Sequence, residues 1–172
     1  GYTDAEPIGA RSSFPCQDIP NKKFTFEAEL LSLKPCMAYC SAQKIKDENI
    51  INSTFIKDDE NYKGEFIKSY FKQQMPMPSY LVVFSCCEVE AYKLSERSNL
   101  YCVSNYIEQV KEHFIKEDIE KVIKEAENMI GMKFQFPEFN ILILPYYNYF
   151  GMENPFLVYI SKNSYKSKML LY

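Results

Sequence analysis

The chain has 172 residues, of which 47% are hydrophobic and 16% aromatic, with a net charge of −3. This composition excludes a disordered chain. The weak negative charge gives no electrostatic case for binding nucleic acid or an anionic membrane, and no apolar run approaches the ~20 residues that span a bilayer. A chain of this size buries roughly 70% of its unfolded surface, so one domain, or parts of two, can hold a real core.

The amino terminus, Gly1 to Pro7, lacks a basic and apolar signal pattern, and Gly1 is not an initiator methionine. The expectation is a cytoplasmic protein whose chain is cut at both ends. Phe24, Phe26, Ala28 and Leu30 alternate with Lys23, Thr25, Glu27 and Glu29, the period-two pattern of a half-buried strand. A further strand is expected from Met37 to Ala42. Gln43 to Gly64 is polar and turn-rich, with Lys57-Asp58-Asp59-Glu60 as a solvated loop. Phe66 to Lys72 is read as a strand, Pro76 and Pro78 as breaks, and Tyr80 to Cys86 as another strand.

The period then changes. Ile107, Val110 and Phe114 predict a short helix. Ile119, Val122, Ile123, Ala126, Met129 and Ile130 predict a second, from about Asp118, with Gly131 ending it. In that helix Ile119, Val122, Ile123, Ala126 and Ile130 should face a sheet. Strands follow at Phe139–Leu144 and Phe156–Ile160. The shift from sheet to mixed helix and strand falls near Ser95 to Leu100, which places the domains at 1–98 and 99–172 in an α+β chain.

Six cysteines, Cys16, Cys36, Cys40, Cys86, Cys87 and Cys102, permit disulfides, yet no secretory segment accompanies them. Cys36 and Cys40 with Cys86-Cys87 do not have standard zinc spacing. Reduced, mostly buried thiols are the preferred reading. His113, the sole histidine, lies in a helical stretch and reads as a surface or core-edge residue.

Between the last two strands lie Pro145-Tyr146-Tyr147-Asn148-Tyr149-Phe150 and Gly151-Met152-Glu153-Asn154-Pro155. A carboxylate between two buried strands, behind a glycine, suits the grip of a cationic group. This segment resembles the Gly-x-Met-Glu-Asn exopeptidase motif of the zinc aminopeptidases of peptidase family M1. With Pro145, Tyr149 and Pro155 it is most like the leukotriene A4 hydrolase and aminopeptidase B group. Thr3-Asp4-Ala5-Glu6-Pro7 and Ala10-Arg11-Ser12-Ser13-Phe14-Pro15-Cys16-Gln17-Asp18-Ile19-Pro20 resemble that family's Gln-x-Glu-Pro … Ala-Arg-x-x-Phe-Pro-Cys-x-Asp-x-Pro segment. Pro76-Met77-Pro78-Ser79-Tyr80-Leu81 matches a strand entry further on. Asp4 stands where the family has Gln, and Phe150 where it has a small residue.

The resemblance implies the end of an all-β saddle domain followed by the start of a thermolysin-like α/β catalytic domain. It implies a hydrolase that removes amino-terminal residues from peptides by zinc-activated water. Glu153 and Glu6 would hold the substrate ammonium, Gly151 and Met152 would align the peptide in β fashion, and Tyr149 would line the pocket. The family's zinc motif, H-E-x-x-H, is absent from the sequence. No catalytic or metal residue is therefore assigned, no zinc is expected on this chain, and the chain alone is expected to be inactive. Epoxide hydrolysis of a lipid would need residues beyond those present. A non-catalytic peptide-binding module and a truncated gene product are the alternatives.

Overall fold

The computed structural model describes residues 1–50 and 64–166. The expected Lys57–Glu60 loop lies outside them. The fold is α+β, in two compact units, Gly1–Glu88 and Val89–Tyr172.

In the first unit β1 (Lys23–Leu33), β4 (Phe66–Pro78) and β3 (Gln43–Ile50) form an antiparallel sheet in the order β1-β4-β3. A two-stranded ribbon pairs β2 (Met37–Cys40) with β5 (Phe84–Cys87). The alternation of β1 puts Phe26, Ala28 and Leu30 against a small core of Ala38, Cys40, Ala42 and Phe71. Its outward Glu27 and Glu29 pair with Lys72 and Lys68 of β4 at 2.7 and 2.5 Å. The amino-terminal residues run beside β5, where the Thr3 N–H donates to the Phe84 carbonyl at 2.9 Å.

Three expectations fail in this unit. Gln43–Ile50 is a strand, not a turn-rich stretch. Most of its side chains are exposed, so it carries no apolar alternation; polar pairs with β4 hold it instead, Ser69 Oγ donating to Asp47 at 2.6 Å and Tyr70 Oη to Glu48 at 2.8 Å. Pro76 and Pro78 do not break the chain, and β4 continues to Pro78. Phe24 pairs with Met77 and Phe26 with Gln73, which leaves Gln74 to Pro76 opposite Thr25 alone in an irregularity. β3 reaches only as far as Lys72, so these prolines remove no hydrogen bond from a second neighbour. Finally, Ser79–Leu81 forms a short 3-10 turn, and the strand begins only at Phe84. Ser79 Oγ donates to the buried Asp18 carboxylate at 2.7 Å, while the Arg11 N–H and Nε donate to the same group at 3.2 and 3.0 Å. The Ser79 hydrogen bond leads in holding the Asp18 carboxyl below its usual range.

The second unit carries a five-stranded mixed sheet in the order β6-β7-β8-β10-β9. Its strands are β6 (Glu90–Lys93), β7 (Asn99–Cys102), β8 (Asn140–Leu144), β9 (Gly151–Met152) and β10 (Leu157–Ser161). β7, β8 and β10 are parallel, and β6 and β9 are antiparallel edges. The β7-to-β8 crossover holds α1 (Ser104–Glu117) and α2 (Ile119–Ile130). All five residues of β8 are buried, as a parallel strand covered on both faces requires. Ile107, Val110 and Phe114 of α1 and Ile119 and Ile123 of α2 share one core with Leu100, Ile141, Ile143 and Ile160. Each such aliphatic side chain contributes about 1.5–3 kcal/mol on burial.

The expected strands at 139–144 and 156–160 are present and adjacent, and Gly131 ends α2 at φ 74°. The α1 helix, with 14 residues to the 12 of α2, is not the shorter one. The face of α2 is also rotated from the one expected. Ile119 and Ile123 are buried, but Ala126 and Ile130 are exposed, and Glu127 is buried in their place. The cause is a polar clasp. Glu127 accepts the Phe134 N–H at 3.0 Å, Lys133 Nζ at 3.1 Å and Arg97 Nη1 at 3.3 Å, while Arg97 also grips Glu120. The Phe134 hydrogen bond, then the Lys133 and Arg97 contacts, hold the Glu127 carboxyl at a pKa of about 2.

Candidate amine-recognition site

The Gly-Met-Glu-Asn-Pro segment starts on β9 at the sheet edge. Gly151 opposes Ile160 and Met152 opposes Tyr159 of β10, and the Ser161 N–H donates to the Phe150 carbonyl at 3.0 Å. Met152 is buried, so alternation along the strand turns the next side chain, Glu153, outward, and it is exposed. Among the described residues no Lys or Arg forms an ion pair with Glu153.

Asn154 fixes the turn that follows. It is 2% exposed, its N–H donates to the Met152 carbonyl at 3.0 Å, and its carbonyl accepts the Leu157 N–H at 3.2 Å. Its Nδ2 also reaches the Met152 carbonyl, at 3.4 Å. Phe156 sits at φ 64°, the left-handed region that a bulky residue occupies only under constraint. Its ring packs edge-on to Phe136 at 5.0 Å. These two residues position Glu153, and the reading of the sequence gave neither a role of its own.

Gly151 and Glu153 also line a cavity of about 370 Å³ with Phe114, Ile123, Phe136 and Val158. Phe134 and Phe139 line the same cavity. Tyr149 does not line this cavity. It is exposed, with its ring against Tyr147 at 5.8 Å. Glu6 belongs to the first unit, where it is exposed in a turn and its N–H donates to Asp4 Oδ1 at 3.4 Å. Asp4 thus serves its own backbone.

The described residues do not fit a metal centre: no three His, Cys, Asp or Glu side chains gather. Among the described residues His113 Nε2 is buried without a hydrogen-bond partner, and its ring lies against Phe114 and Tyr165 at 5.4 and 5.6 Å.

Residues 1–81 match the family model described as Peptidase M1 N-terminal domain. Yeast leukotriene A4 hydrolase in complex with bestatin superposes with a TM-score of 0.75 and 27% identity, over 94% of this chain and 22% of that one. The chain is similar to leukotriene A4 hydrolase, and its first 81 residues to the Peptidase M1 N-terminal domain. It is 30% identical over 161 residues to leukotriene A-4 hydrolase of Xenopus laevis, covering 93% of this chain and 24% of that protein. Identity is also 30% over 161 residues to leucine aminopeptidase 2 of Neurospora crassa, covering 92% and 22%. The chain therefore spans about a quarter of the length of the curated relatives it matches.

Proposed function

We propose that this chain is the substrate-amine recognition part of a leukotriene A4 hydrolase-like aminopeptidase that removes amino-terminal residues from peptides. The observation that carries the reading is the two-residue edge strand β9, followed at once by the exposed Glu153, which has no cationic partner among the described residues. An edge strand offers backbone groups to which an extended peptide adds as a further strand. A peptide so aligned presents its α-ammonium to the carboxylate one residue beyond the strand. Gly151 and Met152 supply the backbone, and Tyr149 lines the approach. In the whole enzyme a zinc ion would supply the activated water; the described residues provide no ligands for it.

The test compares Leu-Gly-Gly with N-acetyl-Leu-Gly-Gly binding to the chain by calorimetry. A charge-assisted hydrogen bond of about 1.5–3 kcal/mol predicts a roughly ten- to hundredfold preference for the free amine. Glu153→Gln should abolish that preference. Equal binding of the two peptides, or a preference that survives Glu153→Gln, refutes the assignment.

A further inference from the structure

Four of the six cysteines lie on the ribbon of the first unit or just before it, and Cys36, Cys40 and Cys86 share a face. Ala38 opposes Cys86 in the β2-β5 register. Cys36, two residues before Ala38, therefore projects from the same face as Cys86 and is its diagonal neighbour. The Cys36 thiol is near enough to help raise the Cys86 thiol, after burial. Both residues are half-buried, so small reagents reach them. Cys36 also stands just outside β2, on a turn closed by its N–H to the Leu33 carbonyl at 2.9 Å, where the backbone can adjust without breaking a ladder.

We propose that Cys36 and Cys86 form a reversible disulfide when the chain meets a small-molecule disulfide such as oxidised glutathione. The Cys36 thiolate attacks one glutathione sulfur, breaking the glutathione S–S bond and releasing one glutathione thiolate. The Cys86 thiolate then attacks Cys36 Sγ and displaces the second glutathione. Two protein thiols are oxidised, one glutathione disulfide is reduced, and the two thiol protons end on two glutathiones. The turn that carries Cys36 closes the diagonal gap until the sulfurs bond at about 2.0 Å.

The other cysteines are poorer partners. Cys87 is on the opposite face of β5, and burial pushes its thiol up to about 11. Cys40 and Cys102 are buried, with thiols pushed to about 12 and about 11. Burial, then the nearby Cys36, also raises Cys86, which keeps it protonated and slow toward reagents that do not first dock on Cys36. The cross-link would tie the start of β2 to β5 and so hold the ribbon closed.

The experiment equilibrates the chain with defined ratios of reduced to oxidised glutathione, quenches with acid, and maps linked peptides by mass spectrometry without reduction. A peptide joining Cys36 to Cys86 is expected, with loss of two hydrogens. The oxidised fraction at a given ratio should correspond to an equilibrium constant at least about tenfold above that of the urea-unfolded chain, because the fold raises the effective thiol concentration. The link should vanish in Cys36→Ser and in Cys86→Ser and persist in Cys40→Ser and Cys87→Ser. No link in excess oxidised glutathione, a link that survives Cys36→Ser, or equal constants in the folded and unfolded chain would each overturn the proposal.

Discussion

Two truncations in the second unit remove the same number of carbons and should differ in cost. Leu100 on β7 is fully buried and lines neither the cavity beside α2 nor its neighbour. Leu100→Ala loses three carbons of transfer energy, about 2.4 kcal/mol at ~0.8 kcal/mol each. It also leaves an enclosed void that adds about 1.5 kcal/mol, for a total of about 4 kcal/mol. Ile123 on α2 is 7% exposed and lines the cavity of about 370 Å³. Its truncation enlarges space already open and creates no new enclosed void, and alanine is the better helix former by a few tenths of a kcal/mol. Its cost should be about 2 kcal/mol. Hydrogen exchange of the β8 amides, Asn140–Leu144, reads the opening of this unit without mixing in the first. The difference of about 2 kcal/mol is roughly thirtyfold in exchange rate. Equal exchange in the two variants, or faster exchange in Ile123→Ala, would refute the account of where this core is closed.

Two further outcomes follow from the geometry of α2. The Glu127 carboxyl titrates at about 2 in the fold, against 4.5 when free. Its contribution is therefore complete above about pH 4.5 and is lost as pH falls from there toward 2; the slope of stability against pH in that window should flatten in Glu127→Gln, measured by thermal melting. Gly131→Ala should destabilise by about 1–2 kcal/mol, because φ is 74° while nothing lies within 4 Å of the added Cβ; a melting temperature unchanged by the substitution would show that this cap is not held.

What was legible in the sequence follows from which residues carry the burial. β1 half-buries an apolar side chain at every second residue, β8 and β10 are short apolar runs, and Ile119 and Ile123 open α2 at helical spacing, so the pattern reports them directly. β3 was hidden because its partners are cross-strand polar groups such as Ser69 and Tyr70, which lie more than twenty residues away. The inward turn of Glu127 was hidden for a similar reason. Arg97 precedes α2 by a whole strand and a whole helix, and no periodicity within α2 records its pull. For the candidate site, the family motif marked Gly151 to Pro155. The left-handed Phe156 and the buried Asn154 became visible only once the backbone was known.

Asp118 alone joins the two helices. It closes α1 and caps α2 in one left-handed residue at φ 49°, its side chain accepting the Lys121 N–H at 3.2 Å. A joint of one residue has no slack to absorb a change of length. One inserted residue would turn α2 by about 100° about its axis, carrying Ile119 and Ile123 away from the sheet and Glu127 away from Arg97. The helix pair therefore accepts substitution far more readily than insertion or deletion, and variation in length belongs after Phe134, beyond the clasp.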